Sequence, residues 1–269
     1  MEKLQFYDVA MRPPANKNNT AVNPWKTRLA LNFKQTPYKT TWVQLPDIPD
    51  VRKSLSIPAC RKFADGTDFH TLPILVDPAT GRKLGDSFDI AVYLQKQYPT
   101  SGGNLFPAQT LDYVFKPESE LLIPLSECDD SEYPQYASFN VNVDAAFTAH
   151  VILMAHRMPF DPATEEASKA EFVRRAGVSS WDDFAVGGEV RENIIASFER
   201  MLGGLAKLFT ASEGPFIGET ACYADFIVGA WLVMASRTLP EGEWEAVKGW
   251  HGGVFGRLFD ALAVYAGDE

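Results

Sequence analysis

This chain of 269 residues holds only three cysteines and four histidines, and neither kind clusters. Cys60, Cys128 and Cys222 are odd in number and far apart, which argues against a disulfide framework and reads as reduced thiols of a cytosolic protein. His150 and His156 have no cysteine or carboxylate partner at ligand spacing, so no metal site is expected. Basic residues are outnumbered, 25 against 35, for a net charge of -10. That balance argues against nucleic acid or an anionic membrane face as the main partner. Long hydrophobic runs are missing too: none would span a bilayer, and no apolar stretch near the start reads as a signal peptide. The setting expected is cytoplasmic. We find no internal repeat and no low-complexity tract.

What is present is an ordinary globular composition, 46% apolar and 22% charged, with length enough for one or two domains. Lys3 to Val9 alternates as a first strand. A polar loop follows over 12–20. Asn23-Pro24 then predicts a helix start, because Asn is a preferred N-cap and Pro suits the first helical position. Trp25, Leu29 and Phe33 give that helix one apolar face. Tyr38 to Leu45 reads as a second strand, and 46–66 as a long loop or short helix carrying Lys53, Arg61 and Lys62.

The most informative stretch is Phe69 to Leu94. Leu72-Pro73 precedes an apolar strand, Ile74-Leu75-Val76; a turn at Asp77, Pro78 and Gly81 returns a short antiparallel partner. Asp86 and Ser87 then stand where a helix begins, so its free backbone N–H groups favour an anion. A cis bond at Leu72-Pro73 would aim the Leu72 N–H and C=O sideways, where a bound peptide pairs like an added strand. Asp86 would take an ammonium and Ser87 a carboxylate. The same residues also read as a plain hairpin followed by a capped helix.

Tyr98 to Pro107, with two Pro and two Gly, reads as a linker, and helical patterns dominate beyond it. Val143, Phe147, Val151 and Met154 form one apolar stripe; Ile194, Phe198, Met201, Leu202 and Leu205 belong to another over Glu189 to Phe209. Residues 182–188 read as a loop. Asp225 lies three residues past Cys222, the spacing of a capping box. The expected organisation is a thioredoxin-like α/β domain over 1–98, a linker over 99–107 and an all-α helical bundle over 108–269.

That arrangement, with Leu72-Pro73 before the third strand, Asp86-Ser87 before a helix and ACYAD (221–225) in the helical half, resembles the glutathione transferases. NPWKTRLALNFK with TLPILVDPATG is similar to the fungal-specific class A, omega-related group and to its etherase-like relatives. The resemblance implies that Leu72 and Pro73 hold the cysteinyl backbone of glutathione, and Asp86 and Ser87 its γ-glutamyl end. It implies a homodimer that conjugates or reduces hydrophobic electrophiles in detoxification: isothiocyanates, aryl halides, peroxides. It also implies binding of aromatic, polyphenolic ligands.

Two positions depart from the pattern. The family's catalytic Cys or Ser, seven residues before Arg28, is here Ala21, and Cys222 replaces the usual Ser or Thr of the capping box. A free thiol has a pKa of about 8.5, and lowering it by roughly two units requires about 2.7 kcal/mol of thiolate stabilisation. The start of the helix at Pro24, with the Asn23 amide or the Thr20 hydroxyl as extra donor, is the expected source. Asn23 also reads as a simple cap, and Thr20 as a loop hydroxyl. Lys53, Arg61 and Lys62 are equal candidates for the glycyl carboxylate. For the acceptor pocket between the domains the candidate walls are Trp25, Tyr113, Phe115, Leu122 and Ile123, with Phe226 a further one; each aromatic also reads as core. A binding protein that sequesters aromatic compounds is the alternative to an enzyme, and Ala21 favours it.

Overall fold

Alternate burial along LQFYDV makes β1, Leu4–Val9, the inner strand of a small sheet. The computed structural model describes residues 2–118, 121, 123–125, 132–210 and 213–267. After β1 come α1 (Ala15–Asn18), α2 (Val22–Phe33), β2 (Tyr38–Val43), α3 (Ile48–Ser54), β3 (Ile74–Val76), β4 (Lys83–Leu84) and α4 (Ser87–Gln97). The order across the sheet is β2-β1-β3-β4. β1 pairs parallel with β2, Leu4 opposite Tyr38, and antiparallel with β3, Phe6 opposite Leu75. This strand, helix, strand, hairpin and helix is the thioredoxin-like layer expected, and α2 and α4 pack together on it.

The second half is helical: α5 (Pro134–Thr148), α6 (Ile152–Ala155), α7 (Glu165–Ala176), α8 (Gly188–Phe209), α9 (Tyr223–Thr238) and α10 (Glu241–Leu262), the last interrupted over 250–253. α9 is apolar on every side and is the axis around which the rest is packed. Its Gly229 permits close approach, since a Cβ there would fall 2.2 Å from Leu262 Cδ1. Trp25, Leu29 and Phe33 of α2 join the same core, so one continuous cluster runs from the sheet into the bundle.

Four local readings are corrected. The 12–20 loop contains α1, and 182–188 begins inside a short 3₁₀ turn, Trp181–Phe184. The stripe from Val143 to Met154 is two helices, α5 and α6, because the chain breaks between Thr148 and Ile152. The fourth concerns α2: its N-cap is Ala21, two residues before Asn23, and Asn23 lies inside the first turn.

Candidate functional site

Between the sheet layer and the bundle lies a cleft of about 200 Å³. The start of α2 (Ala21, Val22, Asn23, Pro24), the segment before β3 (Phe69, Thr71, Leu72), Arg61, and Asp144, Thr148, Phe172, Arg175 and Trp231 from the helices line it. Ile123 lines it as well.

Local sequence explains each wall. Helix α2 opens with a residue that has no polar side chain, and no side chain caps it. Its first N–H groups are therefore left for whatever enters the cleft. Asn23 stands beside them with its Oδ1 buried and, among the described residues, without a hydrogen-bond partner. On the opposite wall the Leu72-Pro73 bond is cis. Neither the N–H nor the C=O of Leu72 makes a hydrogen bond among the described residues, so both are available to a partner from outside the chain.

Helix α4 begins next to it. Asp86 caps that helix, Oδ1 accepting from the Phe88 N–H at 2.7 Å. Ser87, 1% exposed, keeps a buried hydroxyl with no partner. Arg52 ties the two walls together: its Nη1 donates to the Thr71 carbonyl at 2.6 Å and the Gly85 carbonyl at 3.1 Å. Gly85 is required there, because a Cβ would stand 2.4 Å from Arg52 Nη2. Cys60 packs into the same corner, Sγ 3.4 Å from the Gly85 carbonyl oxygen.

Under the cleft floor Lys26 of α2, fully buried, donates to both Asp144 oxygens (2.6 and 2.7 Å) and to Asn140 Oδ1 at 2.8 Å. Trp231 Nε1 donates to Asp144 as well, at 2.8 Å. Burial lowers the Lys26 pKa while the Asp144 carboxylate beside it works in the opposite direction. The pair joins α2, α5 and α9 directly beneath the open end of α2.

The residues singled out from sequence separate into groups. Leu72, Asn23, Arg61 and Ile123 line the cleft; Pro73 follows Leu72 in the chain, and Asp86 and Ser87 follow Gly85, whose carbonyl Arg52 ties to that of Thr71 on the cleft wall. Of the three candidate cations Arg61 alone reaches it; Lys53 is exposed, and Lys62 is exposed and paired with Asp68. Thr20 is buried, and its hydroxyl donates to Met158 Sδ at 3.3 Å instead of facing the cleft. Trp25 is 1% exposed and packed in the core between Arg28 and Arg237, with Nε1 donating to the Asn19 carbonyl. Tyr113 and Phe115 lie against Phe139 and His150, away from the cleft walls. Phe226 is core beside Phe33 and Tyr265. Leu122 and Cys128 fall outside the described residues. His150 is buried, its ring nitrogens engaged by the Ala146 carbonyl and Ser197 Oγ. Lys26, Asp144, Arg175 and Trp231 were not anticipated; a lysine and an aspartate inside otherwise apolar helix faces were the available signal.

The model of the glutathione S-transferase N-terminal domain matches residues 22–97, and that of the glutathione S-transferase C-terminal domain matches residues 140–265. The chain belongs to the glutathione transferase superfamily. The glutathione S-transferase-like protein ustS of Aspergillus flavus is 28% identical over 267 residues, 96% of this chain and 89% of that one. A Ceriporiopsis subvermispora glutathione S-transferase, solved with glutathione bound, matches with a TM-score of 0.80 at 27% identity, over 100% of this chain and 99% of that one. Glutathione transferase GSTFuA2 from Phanerochaete chrysosporium matches with a TM-score of 0.77 at 27% identity, over 100% of both chains. The uncapped start of α2 carries Ala21 at the position where the resemblance implies a Cys or Ser.

Proposed function

We propose that this chain is a glutathione transferase that activates the glutathione thiol without a side-chain hydroxyl or thiol of its own. The observation that carries the reading is the Leu72 backbone pair, which faces the cleft with no hydrogen-bond partner. An extended tripeptide satisfies both groups at once, as an added strand does. The Ser87 hydroxyl then receives the γ-glutamyl carboxylate, and the Asp86 oxygen not used in capping receives the ammonium. Arg61 takes the glycyl carboxylate.

Laid this way, the cysteinyl sulfur faces Ala21 to Asn23. The free N–H groups of α2 and the Asn23 amide stabilise the thiolate, which lowers the thiol pKa from its usual value of about 8.5. Glutathione supplies the nucleophile; the chain holds it, orients it and lets its proton leave. No covalent bond to the protein is required. Acceptors are hydrophobic electrophiles such as aryl halides, isothiocyanates and peroxides, in detoxification. The reading carries with it a cytosolic homodimer, which sedimentation at twice the chain mass would check.

Ala21 favours a second reading, a ligandin-type protein that binds glutathione and aromatic or polyphenolic compounds with little turnover. Assays of 1-chloro-2,4-dinitrobenzene and phenethyl isothiocyanate, beside titration with a hydroxylated aromatic, separate the two. Saturable turnover supports the enzyme. Tight aromatic binding with turnover at the uncatalysed rate supports the ligandin. Failure to bind glutathione at all rejects both.

A further inference from the structure

The chain as a whole is acidic, with a net charge of -10, yet the cleft wall is not. Among the described residues its charged lining residues are Arg61, Arg175 and Asp144. Asp144 is neutralised by Lys26, which holds both of its oxygens. That leaves two guanidinium groups, 8% and 9% exposed, on one side of an otherwise apolar hollow. Buried cations of this kind focus a positive potential into a low-dielectric space and select anions from solution.

Arg175 enters from the last turn of α7, and its donors can be accounted for one by one. Nε donates to Glu171 Oε1 at 2.8 Å and Nη1 to the His70 carbonyl at 2.8 Å. Nη2 makes no hydrogen bond among the described residues. Glu171 is shared with Arg174, which takes both of its oxygens at 2.8 Å, so one carboxylate serves two guanidiniums. The planar head is held rigidly, stacked over the Phe69 ring with its centre 5.2 Å from the centroid. A fixed guanidinium that lines a cleft and keeps Nη2 without a partner among the described residues is suited to a carboxylate. Around it lie Phe172, Ala176, Val151 and Trp231, an apolar wall of a size for one aromatic ring. The wall continues through Phe172 and Ala176 into a second hollow of about 220 Å³ that reaches Phe184.

We propose that the acceptor is an apolar, ring-bearing electrophile that carries a carboxylate, and that Arg175 binds this carboxylate through Nη2 from the helical side of the cleft. The inference rests on the transferase reading above and deepens it by naming the acceptor class. In the conjugation of a chloroarene the sulfur of glutathione forms the new C–S bond. Chloride departs with the electron pair of the broken C–Cl bond, and the thiol proton passes to solvent.

The test compares 4-chloro-3,5-dinitrobenzoate with its methyl ester. Each kcat/KM is divided by the uncatalysed rate, in wild type, Arg175→Gln and Arg175→Lys. The acid-to-ester ratio is expected to fall about tenfold or more in Arg175→Gln and to recover in part in Arg175→Lys. An unchanged ratio overturns the proposal. So does an equal loss for both acceptors, which would mean that Arg175 serves only to anchor α7 to His70, or a change confined to the KM of glutathione. If wild type turns over neither acceptor, calorimetric titration with S-(4-carboxybenzyl)glutathione and S-benzylglutathione decides. A preference for the acid that is lost in Arg175→Gln supports the proposal, and equal affinities in wild type overturn it. Should glutathione bind while the ratio stays fixed, the acceptor class alone falls; should glutathione fail to bind, the transferase reading falls with it.

Discussion

Helices α2 and α9 begin a few residues from the same interdomain core, and they treat the same physical problem in opposite ways. Every helix start leaves N–H groups without intrahelical partners. At α9 the protein closes the matter internally. Cys222 and Asp225 form a reciprocal capping box, with Asp225 accepting from the Cys222 N–H at 2.8 Å and from the Ile217 N–H at 2.9 Å, all buried. Gln109 donates to Cys222 Sγ at 3.0 Å, and burial pushes that thiol up to about 12. At α2 nothing of the kind exists: Ala21 offers no acceptor, and the adjoining Asn23 oxygen is unpaired. The closed start is a piece of core. The open one faces a cleft, and under the proposed function glutathione completes it.

The largest expected effect comes from removing what holds the open start in place. Lys26→Met leaves Asp144 buried with only the Trp231 indole as partner. It should cost about 3–5 kcal/mol of folding stability, whereas Lys26→Met with Asp144→Leu should cost clearly less than either alone. Urea unfolding of the three variants measures this; additive costs would mean that the two side chains act independently.

Next is the closed start. Asp225→Ala strands two buried N–H groups and should cost about 2–3 kcal/mol. Burial also raises the Asp225 carboxyl from 3.8 to about 6, against the hydrogen bonds that favour its charge. A carboxyl harder to ionise in the folded chain than in the unfolded one adds stability that is whole below about pH 4. That stability is lost as the pH rises through about 6. Wild-type stability measured against Asp225→Asn should therefore decline between these values; a flat difference would show that the two N–H bonds cancel the effect of burial, and a rise that they outweigh it.

A smaller change would make α2 resemble α9. Ala21→Asp supplies the missing cap and should stabilise the fold by about 1 kcal/mol. It should also place a negative charge against the glutathione sulfur, so the bound thiol pKa rises and turnover falls. A gain in both stability and turnover would contradict the account. The smallest effect belongs to Thr20→Ala, which gives up only a bond to Met158 Sδ. Its cost should be under about 1 kcal/mol, with the thiol pKa unmoved.

The same contrast explains what could be read from sequence. The start of α4 was legible because Asp86 is a good cap standing just before a helical apolar pattern. The start of α2 was misplaced by two residues because Asn23-Pro24 is the stronger local signature, while an alanine cap has none. Periodicity makes Trp25 a candidate cleft wall because it identifies an apolar face without saying what covers it; α9 and two arginines cover it. Tyr113 and Phe115 failed for the same reason. Lys26 and Asp144 are 118 residues apart, and Arg175 and His70 are 105 apart. Partnerships over that distance are set by how the helical half docks on the sheet, and no local pattern encodes them.

The most direct measurement of the central claim is ultraviolet titration of the glutathione thiolate in the complex, in wild type and in Asn23→Ala. The open helix start predicts a wild-type thiol pKa well below about 8.5, partly restored toward that value in Asn23→Ala because the α2 N–H groups remain. A wild-type value equal to that of free glutathione would contradict it.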